Sequence, residues 1–286
     1  MTVRELLASA VEKLRKAGIE EPDQDAFYLL SEICGVTRND LLLDGLRSVS
    51  EKMQERDLDA IEKRAAHIPC QYITGRAYFM DHVFSVNENV LIPRQDTEVL
   101  VEEVLKEAGI GAEVMDICTG SGCIAVSVKA ARADVKISAI DISEDALSVA
   151  EENAGKILGS RDKISFICSD LLDRVDADKK FDIIVSNPPY VSEDEYRALA
   201  PEIREHEPDL ALLAGPDGMD IYVRLIPRSA GHLKDNGWLM LEIGSSQGEA
   251  VSNLMKSCGF DDVTIIKDLA GLDRVVRGRY RENRDV

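Results

Sequence analysis

The chain is short of several features that would assign it to a class at once. Nowhere do apolar residues run for the roughly 18 positions a membrane helix needs, so no membrane partner is expected. The stretch from Met1 to Lys16 carries charges every few residues, unlike a secretory signal, and the cytoplasm is the expected location. Cysteines stand at 34, 70, 118, 123, 168 and 258, with no Cys-x-x-Cys pair and no neighbouring histidine pattern. Zinc needs about four closely paired ligands, so no metal is expected and the thiols read as reduced and mostly buried. Basic residues are in deficit, 34 against 53 acidic ones, for a net charge of −19. Nucleic-acid affinity comes largely from Lys and Arg contacts to phosphate, so no direct nucleic-acid partner is expected unless a local basic patch exists. An acidic surface suits a basic protein partner or a cationic ligand. No internal repeat or low-complexity segment stands out, and a monomer is expected.

What is present reads as about two domains in 286 residues, with 45% hydrophobic residues to build a sizeable core. Residues 1–66 repeat apolar positions at helical spacing, in Leu6, Leu7, Ala10, Val11 and Leu14 and again in Ala26, Leu29, Leu30 and Ile33. Thr37 and Ser50 are expected to cap two further helices. This segment is expected to be a helical substrate-recognition domain. Residues 67–95 change character: Gln71–Thr74 and His82–Val86 look extended, with Gly75 and Asn87 as turns, which predicts a β-hairpin linker. From 96 to 286, strand candidates alternate with helical segments. They are 113–117, 136–140, 164–168, 182–186, 238–243, 262–267 and 274–278. Such alternation implies an α/β fold with a mostly parallel sheet, closed by a hairpin of the last two strands. Seven strands so ordered resemble the class I, Rossmann-like methyltransferase fold.

Two loops carry the chemistry. After the first strand, Cys118-Thr119-Gly120-Ser121-Gly122 leads into a helix, and its small residues let backbone pass close to a ligand with exposed amides toward it. A plain tight turn would read the same way. Asp141 ends the next strand, 25 residues after Asp116, where a carboxylate can grip two ribose hydroxyls. It could instead cap the following helix, although Ser143 suits that task better. Asp170 falls where methyltransferases hold the adenine amino group, and Leu171 could pack on the ring.

The second loop is Asn187-Pro188-Pro189-Tyr190, at the end of a buried strand. Two prolines lack N–H groups and hold φ near −65°, so the loop is stiff. An amide or aromatic amino nitrogen is a poor nucleophile because its lone pair is delocalised. The Asn187 side-chain oxygen and the Pro188 carbonyl can accept both N–H bonds of such a group and aim its lone pair at a methyl donor. Tyr190 offers a face for the planar group. Asn187 and Pro188 are thus the candidate catalytic residues, and Asn187 to Tyr190 the candidate substrate site. No histidine, lysine or carboxylate lies within the loop, and no general base is expected.

Asn-Pro-Pro-Tyr resembles two families, the DNA adenine methyltransferases and the HemK/PrmC protein-glutamine methyltransferases. Further segments resemble the latter along nearly the whole chain: Gln71 to Gly75, Leu91 to Glu98, Glu207-Pro208, Gly215 to Gly218, Glu242 to Gly244 with Gln247-Gly248, and Asp268 to Arg274. The resemblance implies S-adenosylmethionine as cofactor and S-adenosylhomocysteine as product. Its cofactor site would comprise Cys118 to Gly122, Asp141, Asp170, Leu171 and Asn187. It implies as substrate the glutamine of the Gly-Gly-Gln motif of a peptide chain release factor, methylated on its amide nitrogen and engaged with help from the helical domain. Adenine-N6 methylation of DNA or RNA is the alternative. The chain departs from the family pattern in two places. Cys118 stands where the family usually has glycine, so an ordinary φ is expected there, and Gln95 stands where it tends to have proline. Arg94 either braces the cofactor pocket or forms a structural salt bridge.

Overall fold

The computed structural model describes residues 1–159 and 163–282. They divide into two compact units, the first made of residues 1–76 and 200–206. Its helices are α1 (Val3–Lys16), α2 (Pro22–Cys34), α3 (Arg38–Asp44), α4 (Glu51–Ala65) and α5 (Cys70–Thr74), joined later in the chain by the short α10 (Pro201–Arg204). Helix α1 opens with a capping box, in which the Thr2 hydroxyl accepts from Glu5 N and the Glu5 carboxylate accepts from Thr2 N. Thr37 and Asp40 cap α3 in the same way. Ser50 occupies the N-cap of α4, but its side chain makes no cap hydrogen bond. The periodic positions Leu6, Leu14, Leu29 and Leu30 are fully buried, each contributing roughly 1.5–3 kcal/mol relative to exposure. Buried Arg64 holds the returning segment by pairing with both Asp25 and Glu202.

Gln71–Thr74, expected to be extended, is helical. Pro69 opens the turn, the Thr74 hydroxyl donates to Cys70 O four residues back, and Gly75 ends it in the left-handed region at φ 69°. The β-branched pair Ile73-Thr74 imitates a strand, and the cap decides otherwise.

The second unit, residues 77–199 and 207 onward, holds a seven-stranded sheet. A hairpin of β1 (Arg76–Phe79) and β2 (His82–Ser85) leads into it and places Phe79 and Phe84 in its core. The hairpin therefore packs as part of this unit, where a linker had been expected. The sheet strands are β3 (Glu113–Ile117), β4 (Lys136–Asp141), β5 (Ser165–Cys168), β6 (Phe181–Ser186), β7 (Leu233–Glu242), β8 (Phe260–Lys267) and β9 (Asp273–Tyr280), in the order β5-β4-β3-β6-β7-β9-β8. The first five are parallel, and β9 runs antiparallel to both β7 and β8.

The central strands β3 and β6 are mainly apolar and buried because both faces are covered. Val114, Ile183, Val185, Trp238 and Met240 face one layer, with α6 (Glu98–Glu107), α7 (Cys123–Ala131) and α8 (Glu144–Leu158). Met115, Ile184, Leu239 and Leu241 face the other, and so meet α11 (Asp220–His232) and α12 (Gly248–Ser257). Helix α9 (Glu193–Ala198) lies in the long connection after β6. The chain runs outward from β3 through β4 to β5, then returns to β6 on the other side of β3. That reversal opens a crevice at the carboxyl ends of β3 and β6, the usual ligand position in such sheets. Among the described residues no helix is long and apolar enough to cross a membrane.

Candidate active site

A cavity of about 280 Å³ occupies this crevice. Cys118, Gly120, Ser121, Asp141, Asp170, Leu171, Asn187 and Pro189 all line it, although four different strand ends supply them. Thr119, Gly122, Pro188 and Tyr190 do not line it and act around it.

The loop after β3 is built from left-handed residues, with φ of 59° at Cys118, 55° at Gly120 and 79° at Gly122. Cys118 was expected to hold an ordinary φ, and the structure corrects this. The chain must turn sharply off β3 here, and Cys118 holds a conformation that glycine adopts freely, at a steric cost of roughly 1–2 kcal/mol. At Gly122 an added Cβ would stand 3.1 Å from Ala150 Cβ of α8, so glycine also permits the close packing of α7 on α8. Three amides of the loop are engaged within the protein. Thr119 N donates to Ile140 O, Gly120 N to the Asp141 carboxylate at 2.8 Å, and Gly122 N to Thr119 O. Two of these bonds tie the loop to the end of β4 and one closes it on itself, and its small residues allow close approach.

Asp141 takes one bond on each oxygen, from Gly120 N and from Ser143 N at 3.0 Å. Ser143, not Asp141, caps α8, since its hydroxyl accepts from Ala146 N. Each Asp141 oxygen keeps a lone pair for a further donor. Burial raises its pKa, and the bonds from Ser143 and Gly120 oppose that. Asp170 has one oxygen engaged by Arg224 of α11 at 2.6 Å, and both residues line the cavity. Leu171 holds φ 50°, which presents its side chain to the cavity wall.

Asn187 Nδ2 donates to the buried Thr97 hydroxyl at 3.2 Å. With the amino end of the amide so engaged, its oxygen is the end left to accept from a ligand. Thr97 in turn supports the carboxylate of Glu242, which also accepts from the Tyr190 hydroxyl at 3.5 Å. Burial pushes Glu242 up to about 7, while Thr97 and Arg274 pull it down. Burial likewise raises the Tyr190 phenol. Behind the loop, Gln247 Nε2 donates to Tyr190 O at 3.0 Å and to Gly218 O at 3.2 Å, and its oxygen accepts from Gly244 N. Arg94 pairs with Glu207, whose other oxygen accepts from Ile92 N, and Arg94 also lines the cavity. Bracing and ion pairing are thus one arrangement.

Sequence reasoning assigned no role to Thr97, Arg224, Gln247 or Asp116. Asp116 is fully buried under the first loop, accepts from the Thr119 hydroxyl at 2.6 Å and from Ala125 N at 3.2 Å, and is pushed up by burial to about 7. A polar residue inside the apolar run of β3 was the available signal for Asp116. For Thr97, ninety residues from Asn187, the sequence carries none.

Comparison with known proteins finds relatives along nearly the whole chain. Residues 5–75 match the PrmC N-terminal domain family, and residues 83–206 match the methyltransferase small domain family. A release factor glutamine methyltransferase of Moorella thermoacetica is 41% identical over 99% of this chain and 100% of its own length. One from Caulobacter vibrioides is 39% identical over 97% of this chain and 96% of its own. Among solved structures, a methyltransferase from Pyrococcus furiosus superposes with a TM-score of 0.52 at 15% identity, covering 69% of this chain and 88% of that one. The last likeness concerns the fold alone.

Proposed function

The chain belongs to the release factor glutamine methyltransferase family, and from that premise we propose that it methylates the side-chain amide nitrogen of the Gly-Gly-Gln glutamine in a peptide chain release factor. The observation that carries this reading is the oriented Asn187 amide, held by Thr97 at the wall of a cavity that also contains Asp141 and the Cys118–Gly122 turn.

The cavity suits S-adenosylmethionine. The Asp141 carboxylate has lone pairs to spare for ribose hydroxyls, Gly120 and Ser121 allow close approach, and Leu171 offers an apolar wall for the adenine. Bound there, the cofactor supplies an electrophilic methyl group and leaves as S-adenosylhomocysteine. Asn187 Oδ1 and the Pro188 carbonyl take the two N–H bonds of the glutamine amide. Accepting both rotates the nitrogen lone pair out of conjugation and favours the tetrahedral nitrogen of the transition state. The stiff proline pair and the Gln247 bond to Tyr190 O keep these acceptors in place, so little reorganisation remains for the reaction itself. Pro189 and Tyr190 bound the planar group. The helical unit is assigned to engagement of the release factor, and the exposed Leu42, Leu43 and Leu46 support that assignment.

Labelled S-adenosylmethionine, offered together with release factor or with DNA, tests the reading. Label should enter the release factor glutamine, and Asn187→Ala should reduce turnover by about 10²–10³ while cofactor affinity is kept. Label in DNA adenine alone, or near-normal turnover in the variant, would overturn it.

A further inference from the structure

The motif from Asp268 to Arg274 has no part in the cavity, yet it is built with care. It forms the turn between β8 and β9. Asp268 Oδ1 accepts from Ala270 N at 2.9 Å and Leu272 N at 3.0 Å, and Oδ2 accepts from Arg274 Nη2 at 2.9 Å and Nε at 3.2 Å. Asp268 N donates to Leu272 O, and Gly271 closes the turn at φ 81°. Lys267 pairs with Asp273 at 2.6 Å. Every charge of the turn is therefore neutralised within it or by Asp96, which meets Arg274 at 3.0 Å.

What this rigid frame presents outward is apolar. Leu269 has a relative exposure of 105% and Leu272 of 50%. A leucine so exposed contributes nothing to stability, and the turn, pinned through Asp268, cannot fold over to cover it. Preorganised apolar surface of this kind favours association, because little conformational freedom remains to be lost on binding.

The turn stands at the rim of the reaction crevice. It joins β8 to β9 at the carboxyl end of β7, where Val275 pairs with Glu242, the residue that meets the Tyr190 hydroxyl. Arg274 reaches Asp96, whose neighbour Thr97 holds Asn187. A polypeptide that inserts a glutamine toward Asn187 has this rim within reach. Two glycines beside that glutamine offer no side chains to recognise, so affinity has to come from surface farther along the substrate.

We propose that Leu269 and Leu272 form an apolar docking patch for the release factor, contacting polypeptide outside its Gly-Gly-Gln loop. The inference rests on the function proposed above. The test compares wild type with Leu269→Ser and Leu269→Ser/Leu272→Ser on intact release factor and on a short Gly-Gly-Gln peptide. Binding of the intact factor to enzyme loaded with S-adenosylhomocysteine is measured alongside. KM and Kd for the intact factor should rise about tenfold, the loss expected for one buried leucine. Its kcat, the kinetics on the peptide, cofactor affinity and Tm should not change. Unchanged KM and Kd on the intact factor would overturn the patch, as would equal losses on the peptide, which would make the turn a support for the cavity. A wild-type dimer that Leu269→Ser dissolves would give the patch to a second copy and also overturn the proposal. Wild-type enzyme inactive on the release factor would remove the proposed function itself, whereas an active wild type with unaltered variants removes only the patch.

Discussion

At the residue scale, the proposed function assigns Asp141 to holding the cofactor and Asn187 to presenting the substrate. Asp141 receives two backbone donors and retains capacity for two more, so Asp141→Ala removes a hydrogen-bonded carboxylate from the ligand's reach. Loss of hydrogen bonds to a charged group costs about 1.5–3 kcal/mol, and calorimetry should show S-adenosylmethionine binding weakened roughly ten- to a hundredfold. Unchanged affinity would remove Asp141 from the site. Proton transfer is the other residue-scale question. Glu242 stands nearest to neutrality among the carboxyls around the loop, at about 7, but it is 1% exposed and does not line the cavity. Its Oε1 meets the Tyr190 hydroxyl, and its Oε2 is buried without a hydrogen-bond partner among the described residues. The amide proton becomes acidic once nitrogen is methylated and can leave to water, so the reaction needs no tuned base. Single-turnover rates with both substrates bound should stay nearly flat from about pH 6.5 to 8.5, where a His-like base would titrate. A tenfold rise per pH unit would show a base at work.

At the scale of elements, the Asn-Pro-Pro-Tyr loop is held by glycines and by Gln247 in a way that explains why distant motifs accompany it. A Cβ at Gly218 would stand 2.3 Å from Tyr190 O and 2.7 Å from Gln247 Nε2, and Gly218 already holds φ 74°. Gly218→Ala must push the Tyr190 backbone outward or break the Gln247 bond. Misplacement by about 1 Å can cost on the order of a hundredfold in rate. Turnover should therefore fall by about that factor while calorimetry finds cofactor affinity within twofold of wild type, because Asp141 and the Cys118–Gly122 turn lie on other strands. Parallel losses of affinity and turnover would mean that the two loops move as one.

At the scale of the whole molecule, three buried carboxyls oppose stability at neutral pH. Burial raises Asp57 to about 6, and Asp116 and Glu242 to about 7. In the unfolded chain these groups lose their protons near pH 4, while the folded protein keeps them to about pH 6 or 7. The unfolded state therefore binds fewer protons in that window, and stability falls as pH rises through it, then levels off. Glu113 acts in the opposite sense: Lys179 and Lys234 hold it down at about 2, so its contribution is lost as pH falls from about 4.5 toward 2. Urea unfolding should accordingly show greater stability at pH 5 than at pH 8. In Asp57, 1% exposed and with neither oxygen hydrogen-bonded, each pKa unit is worth about 1.4 kcal/mol. Between pH 5 and pH 8 only about one such unit is crossed, so Asp57→Asn should remove about 1.4 kcal/mol of the difference between the two pH values. An unaltered difference would show that Asp57 is ionised at no cost in the folded protein.

The amino-acid order by itself made the seven sheet strands legible: the central parallel ones as apolar runs covered on both faces, and the last two, which are charged and antiparallel, as a hairpin close in sequence. It also marked the two loops that the structure brings to one cavity, since a turn for close approach admits only small residues, and two prolines stiffen a loop wherever they stand. The helical first unit was legible from its 3.6-residue periodicity. Local pattern failed where a cap or a steric demand outweighed propensity, as at Gln71–Thr74, where Pro69 and Gly75 make a helix of β-branched residues, and at Cys118, which accepts a positive φ because the strand must end there. Only the tertiary structure decided that the Thr119 and Gly120 amides tie their loop to β4, that Thr97 orients Asn187, that Gln247 holds Tyr190 and that Arg274 of the β8–β9 turn reaches Asp96. Each of these joins residues from elements distant in the chain. Such contacts arise from the strand order β4-β3-β6-β7-β9, and no spacing along the sequence encodes which strand ends will meet.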